Sequence, residues 1–348
     1  MKEQTLPAET LARLIEAIFQ SLGVDPADAA CTAASLVSAD LEGISSHGVA
    51  LVPMYVQRIK AGSVNVDGQP SLVEDHGAMV IMTAANTLGQ LSAQTAVQLA
   101  IERARQYGIS IVTVRDAFHF GTAAYWSKQF TEAGMIGFSF SNTRPLMPAP
   151  GGAQALVGNN PMAIAFPSAT GEALVVDMAM SATAMGKIRI AQAHGKSIPA
   201  GWATDAEGRA TTNASEAING MLLPAAGPKG FGLAVVVDLL CGALSGGGVG
   251  AAVRPLYGDL SEPYNCSHTF IAIDASRIAG GAGIGSQVAE FAQSIRDSRR
   301  APGTETIYAP GDLERANRQR IAGHCVLHAT LIDELNALAK AANSDLRL

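Results

Sequence analysis

The stretch Ile109-Ser110-Ile111-Val112-Thr113-Val114-Arg115-Asp116-Ala117-Phe118-His119-Phe120-Gly121-Thr122-Ala123-Ala124 changes character within a few residues. Its first half is β-branched and apolar, which predicts a strand over Ile109–Val114. Its second half, His119 to Ala124, is a short polar and Gly-bearing loop that opens a helix. Strand, loop and helix in immediate succession are the unit of an α/β layer. A helix that starts straight after a strand presents unpaired N–H groups, which suit an anion such as pyrophosphate. The same residues also suit an ordinary capped helix start.

Working outward, short β-rich runs recur at Met79–Thr83, Gly137–Asn142, Ala163–Pro167, Ala173–Met178 and His268–Asp274. A helical pattern fills Leu91–Gln106, and another follows the last strand as far as Arg296. The chain ends differ. Leu11, Leu14, Ile15, Ile18 and Leu22 stand at helical spacing. Asp25-Pro26 then reads as an N-cap with Pro at the first helical position, opening a helix to Leu41. A third helix spans Val52 to about Gly62. The last 35 or so residues are expected to be helical, with His324 and His328 one turn apart. Residues 203–219 read as an exposed loop, 298–314 as irregular, and Gly230–Leu244 as a helix buried on all sides.

Composition narrows the class. The chain has 348 residues, 48% hydrophobic and 16% charged, enough for a large core and about two domains. A net charge of −6 and only 5% aromatic residues argue against nucleic-acid binding, which needs clustered cations and stacking platforms. Four scattered cysteines form no CxxC pair, so neither a zinc ribbon nor a disulfide scaffold is expected. Charged residues interrupt the N-terminal apolar stretch, so it is no signal peptide, and no run is long and apolar enough for a membrane span. The expectation is a cytoplasmic protein. Its 36 glycines predict many tight turns or close backbone approaches.

Several short motifs carry possible chemistry. Gly281-Ala282-Gly283-Ile284-Gly285 has the wrong spacing for GxGxxG, and no acidic strand end follows it, so it reads as a connection. No P-loop is present. Ser46-His47-Gly48 places an imidazole, whose pKa suits proton transfer near neutrality, beside a hydroxyl that can orient it. Gly48 would let a substrate approach closely. His324 and His328 lack a third ligand or a general base, so no metal site is expected. His76, His194 and His268 stand isolated and receive no role. Asp177 ends an apolar strand, where it could hold a ribose hydroxyl or cap a turn. Lys229, at the start of an apolar helix, is electrostatically misplaced unless something anionic lies near.

Taken in order, Ser46-His47-Gly48-Val49, His119-Phe120-Gly121, Gly158-Asn159-Asn160-Pro161, Asp177-Met178-Ala179, Gly186-Lys187, Leu223-Pro224, Lys229-Gly230-Phe231-Gly232-Leu233-Ala234 and Pro310-Gly311 resemble the second, non-Rossmann malate/L-lactate dehydrogenase family. The resemblance spans about residues 10–335. It implies an α/β, L-sulfolactate-dehydrogenase-like fold with a discontinuous helical domain. Residues 1–70 plus 312–348 would form the helical substrate and dimerisation domain, and 71–311 the NAD(P)-binding domain. The implied activity is NAD(P)H-dependent interconversion of a 2-keto acid and a 2-hydroxy acid of the malate, lactate or sulfolactate type. Reduction of cyclic 2-imino acids (piperideine- or pyrroline-2-carboxylate) is the alternative, and a catalytically idle binding protein on the same scaffold a second. A homodimer is also implied.

The resemblance assigns roles position by position. His47 is the proton donor, Ser46 its neighbour, and Lys187 an assisting cation. His119, Phe120, Gly121, Thr122 and Ala123 form the loop at the cofactor. Asp177, Met178, Ala179, Pro228, Lys229, Pro310 and Gly311 also contact it, within a nucleotide segment running from Ile307 to Leu313. Met185 and Gly186 lie near the substrate, with Asn159 in the loop before Pro161. Three positions depart from the family pattern. Leu51 stands where an Arg commonly pairs with the substrate carboxylate, Pro228 where His is frequent, and Asn159 where Thr is usual. Arg144, after Ser141-Asn142-Thr143, is expected to take over the carboxylate, because a guanidinium makes charge-assisted, often bidentate pairs.

Overall fold

The computed structural model describes residues 3–278, 280 and 283–348. Strand β1 (Glu3–Pro7) leads into helices α1 (Ala8–Gln20), α2 (Pro26–Leu41) and α3 (Val52–Lys60). The periodic residues Leu11, Leu14, Ile15 and Ile18 of α1 are all buried, which is why that segment is a helix against a core. The Asp25 carboxylate accepts the Ala27 N–H at 2.8 Å and Pro26 opens α2. Between α2 and α3 lie two short 3₁₀ turns, Ser45–His47 and Val49–Leu51.

Then follow β2 (Ser71–Asp75), β3 (Met79–Thr83), α4 (Gly89–Tyr107), β4 (Ile109–Ala117), α5 (Ala123–Glu132) and β5 (Ile136–Ser141). Next are β6 (Met147–Pro148), β7 (Ala155–Val157), β8 (Met162–Phe166), β9 (Leu174–Met178) and α6 (Met185–Ala193). A small three-stranded sheet, β10 (Ala203–Thr204), β11 (Ala210–Thr211) and β12 (Met221–Leu222), encloses α7 (Ala214–Asn219). The chain ends with α8 (Pro228–Asp238), β13 (Cys266–Ile273), α9 (Ile284–Arg296), α10 (Asp312–Ile321), β14 (His324–His328) and α11 (Ala329–Ala341).

The central sheet has the order β2-β3-β4-β13-β5-β8-β9. Its strands pair antiparallel except β3 with β4, which are parallel and joined through α4. β13 comes from far along the chain and inserts between β4 and β5. A large core joins α1, α2 and α3 to α4, α5, the sheet and α11 through residues such as Phe19, Tyr55, Val97, Trp126, Phe270 and Leu335. A second core gathers Met147, Met180, Ile188, Ala217, Leu222 and Ala234 around the small sheet.

The structure corrects three local expectations. The C-terminal segment is not helical throughout: β14 pairs antiparallel with β1, placing His324 opposite Pro7 and His328 opposite Glu3. His324 and His328 therefore lie on a strand, with Cys325 and Leu327 buried between them. Alternation of period two outweighed the helical reading. Residues 203–219 carry β10, β11 and α7, because the Asn213 side chain accepts the Ser215 and Glu216 N–H groups and starts a helix. Helix α8 and the π-helical turn after it (Leu239–Ala243) are mostly apolar yet not buried all round: Leu233, Val236 and Leu239 are 45%, 50% and 48% exposed, while Ala234, Val237 and Cys241 are buried. Gly281 and Ala282 of the Gly-rich run lie outside the described residues; Gly283 directly precedes α9.

Candidate active site

The Ser46-His47-Gly48 turn is held from below. Asp40, in the last turn of α2, is buried and its Oδ2 accepts the Val49 N–H at 2.8 Å. A Cβ on Gly48 would lie 2.2–2.5 Å from that carboxyl group. Gly48 is thus required for packing against Asp40, and the expected role of admitting substrate is not its first constraint. Burial pushes the Asp40 carboxyl up to about 6. Sequence reading missed Asp40, since an acid inside an amphipathic helix carries no local signal.

The turn presents His47 half-buried, with Nδ1 3.0 Å from the Ser46 Oγ. Its ring stacks on that of His119, centroids 5.6 Å apart and planes 28° apart. Burial lowers the His47 pKa. His119 is lowered further, well below the usual histidine range, by burial and by the neighbouring His47 and His268. The hydroxyl of the fully buried Tyr55 lies 2.8 Å from His119 Nδ1, and Gly121 N–H lies 3.4 Å from the same atom. The Tyr55 hydroxyl also donates to the His119 carbonyl at 3.0 Å, so it bridges the ring and the backbone of the same residue. Gln90 Nε2 donates to the Tyr55 oxygen at 3.2 Å, extending the chain inward.

The loop carrying His119 is clamped on both sides. Gly89, opening α4, approaches so closely that a Cβ would meet the Phe118 and His119 carbonyl oxygens at 2.2–2.4 Å. His268, given no role from sequence, is fully buried on β13; its Nε2 donates to the Phe118 carbonyl at 3.0 Å and its Nδ1 faces the Ser141 hydroxyl at 3.0 Å. The Phe120 ring packs on His268 at 4.3 Å, and Trp126 Nε1 donates to the Phe120 carbonyl at 2.9 Å. Gly121 has φ +85, which favours glycine, and its Cβ position is 2.8 Å from the Ser35 hydroxyl. The side chains of Phe120, Thr122 and Ala123 are buried.

At the far end of this loop α5 begins. Asp177, at the end of β9, accepts the Ala124 N–H at 3.0 Å. The first turn of α5 is therefore already partly occupied by a carboxylate, which ties β9 to α5 and competes with the expected pyrophosphate contact. Asp177 opens onto a cavity of about 650 Å³, which Ala124, Ile44, Pro310 and Gly311 also line. The other Asp177 oxygen makes no hydrogen bond among the described residues. Gly311, at φ +91, lies 3.3 Å from the Val175 N–H at its Cβ position, and Val175 N–H donates to the Pro310 carbonyl at 3.2 Å. These contacts bring the C-terminal segment against the sheet edge.

The remaining expected residues lie outside that cavity. Met180 N–H donates to the Asn159 carbonyl at 2.7 Å, Ala182 N–H to the Leu223 carbonyl at 2.8 Å, and Ala225 N–H to the Met180 carbonyl at 2.9 Å. This ladder ties the segment after β9 to the one that leads into α8; Met185, Gly186 and Lys187 open α6, and Pro228 and Lys229 open α8. Lys187 and Lys229 are exposed. The Asn159 amide oxygen accepts the Thr143 hydroxyl at 2.9 Å, so its side chain supports the Arg144 loop. That loop is further fixed by Asn142, which donates to Asp238 at 2.8 Å and to the Gly248 carbonyl at 2.7 Å. Arg144 is half-buried and makes no ion pair among the described residues; its one hydrogen bond is a long 3.4 Å contact to the Pro145 carbonyl. Leu51 is buried in the main core.

A mixed, largely antiparallel sheet packed against helices from both chain termini is a non-Rossmann α/β architecture. The family model for malate/L-lactate dehydrogenase matches residues 6–336. The chain belongs to the malate/L-lactate dehydrogenase family. It is 33% identical to the malate dehydrogenase of Pyrococcus abyssi, covering 96% of this chain and 94% of that one. It is 35% identical to the L-sulfolactate dehydrogenase of Methanocaldococcus jannaschii, with 90% of each covered. The solved sulfolactate dehydrogenase of M. jannaschii superposes with a TM-score of 0.93 at 33% identity, over 99% of this chain and 98% of the other. The Δ1-piperideine-2-carboxylate reductase of Pseudomonas syringae superposes with a TM-score of 0.86 at 29% identity, over 96% and 99%.

Proposed function

We propose that the protein is a NAD(P)H-dependent oxidoreductase interconverting a 2-keto acid and its 2-hydroxy acid. The observation that carries this reading is the stacked His47–His119 pair, with a cavity sized for a nucleotide beyond the same loop. The residues fit the cofactor: the Asp177 carboxylate offers an open oxygen to ribose hydroxyls, and the Pro310-Gly311 backbone lies close by. NAD(P)H, when bound, supplies the hydride. Everything else falls to this chain's own groups.

His47, oriented by Ser46, holds the proton that passes to the substrate oxygen during reduction and takes it back during oxidation. His119, kept neutral by burial and by its histidine neighbours, stacks beside it and holds the His47 ring in place. Arg144, without an acid partner among the described residues and mounted on a loop fixed by Asn142, Asn159 and Asn160, binds the substrate carboxylate in place of the Arg that Leu51 replaces. Lys187 and Lys229 supply positive charge at the mouth of the site, near Met185 and Gly186. Residues 1–70 plus 312–348 act as the helical unit and 71–311 as the cofactor unit of a cytoplasmic homodimer. The exposed apolar residues Leu233 and Val236 of α8, with Leu239 just beyond it, support a second copy seated on that face.

A coenzyme-oxidation panel tests the reading. Pyruvate, oxaloacetate and sulfopyruvate form one arm and cyclic imino acids the other. Turnover with an oxo acid is the expected result. Turnover confined to the imines would move the assignment to imine reduction, and coenzyme binding without turnover on any substrate would leave an idle scaffold.

A further inference from the structure

The charges around the Asp177 cavity bear on which coenzyme it accepts, an inference that rests on reading this cavity as part of the cofactor site. The cavity is lined by five carboxylates and three cationic side chains. Each of the three cations already has an acid. Lys128 and Arg318 both reach Glu42, Arg318 at 3.5 Å. Arg315 pairs with Glu172 at 3.3 Å and with Asp312 at 2.6 Å. Glu132, Asp177 and Glu314 have no cationic partner among the described residues. Beyond Arg315 a second cavity opens, and there Arg296 is committed to Asp312 at 2.8 Å while Arg300 donates to the Glu305 carbonyl at 2.7 Å.

The half of the dinucleotide that enters this cavity follows from where the histidines lie. Neither His47 nor His119 lines it; Ile44 and Ala124, at the near ends of the two segments that carry them, do. The reacting ring must reach the imidazoles, so the cavity beyond these segments takes the adenosine end. A free ribose carries hydroxyl donors that a carboxylate accepts well. A 2′-phosphate carries nearly two negative charges at neutral pH and needs unpaired cations.

We propose that this site discriminates against a 2′-phosphate, and that Glu132, Asp177 and Glu314 make the protein NADH-dependent. The Asp177 oxygen left open by Ala124 is placed to accept from the ribose, and the two glutamates add repulsion that no cation in the wall offsets.

Fluorescence titration of the full chain with NADH and NADPH at low salt tests this without turnover. NADH is expected to bind at least about tenfold tighter, the size of one or two incompletely screened charge repulsions. Raising the salt should narrow the gap. Glu314→Gln and, separately, Glu132→Gln should each narrow it by about threefold by improving NADPH binding. Equal or tighter binding of NADPH by the unaltered chain would overturn the specificity while leaving the site reading intact. Binding of neither coenzyme would overturn the site reading and the specificity with it.

Discussion

The imidazoles of His47 and His119 stack at 5.6 Å, although one rides on a 3₁₀ turn after α2 and the other on the loop between β4 and α5. Two rings this close resist carrying two protons, and burial lowers the pKa of both. The pair is therefore poised to hold a single mobile proton. Replacing His47 by Asn should leave coenzyme affinity intact and lower turnover by roughly 10²–10⁴-fold, the usual contribution of a positioned acid or base. Titration with coenzyme and single-turnover rates check this; a variant with full turnover removes His47 from the mechanism.

The pH profile follows from the same lowering. His47 is deprotonated at neutral pH, so the oxidative reaction, which needs the base form, should lie on a plateau at pH 7–8 and decline below about 6.5. The reductive reaction, which needs the acid form, should rise as the pH falls into that range. Initial rates in both directions against pH provide the measurement, and an oxidative inflection above pH 7 would contradict it.

Tyr55 acts on His119 from the buried side through its 2.8 Å contact with Nδ1. Tyr55→Phe removes the hydroxyl that bridges the His119 ring and carbonyl, and leaves the Gln90 N–H without its acceptor. A loss of about 1–2 kcal/mol from that hydrogen bond corresponds to roughly tenfold in kcat. KM for coenzyme should change little, because Tyr55 does not line the cavity. A shift of the acidic limb of the pH profile should accompany the loss, and an unchanged profile would reduce Tyr55 to a packing role.

Gly48→Ala drives a methyl group into the Asp40 carboxyl. Both are buried, so the expected cost is about 1–3 kcal/mol, the range for overpacking. Asp40→Ser should restore much of that stability in the double variant by vacating the space. Thermal melts of the single and double variants form the cycle; additive losses would place the clash elsewhere.

Acid stability should report His268. Its folded pKa is lowered to about 4, so the folded state binds fewer protons than the unfolded state between that value and 6.5. Stability from this group is complete above about 6.5 and is lost as the pH falls through that window. Asp40, raised to about 6, acts in the opposite sense between about 4 and 6. His268→Asn should therefore be less stable than the parent at pH 7, with the gap shrinking at pH 5. A gap that stays constant would mean that His268 does not titrate.

Arg144→Leu should raise KM for a 2-oxo acid at least about tenfold, through loss of a charge-assisted pair, with little change in coenzyme affinity. A KM that stays the same would return the carboxylate to Lys187 or Lys229.

Local sequence carried much of this molecule. The apolar period of α1, the Asp25-Pro26 start of α2 and the β-branched run of β4 are short-range signals, and they produced the elements they predict. The Ser46-His47-Gly48 turn and the strand end at Asp177 were legible for the same reason. What local reading could not supply was pairing between distant segments. It made β14 a helix, because only β1, at the other end of the chain, gives that segment its hydrogen bonds. It treated α8 as buried, because composition records apolarity and not which face a neighbour covers.

The candidate site divides along the same line. Sequence alone determined the chemical types present: a histidine beside a serine, an acid at a strand end, and an arginine where the usual one is missing. The tertiary structure decided their relations. It stacked His119 on His47, placed Tyr55 and His268 behind the loop, set Asp40 under Gly48, and paired each cation of the Asp177 cavity with a carboxylate. The physical reason is range. Propensity and periodicity act over a few residues, whereas burial, proton position and charge balance depend on which distant segments close around a group.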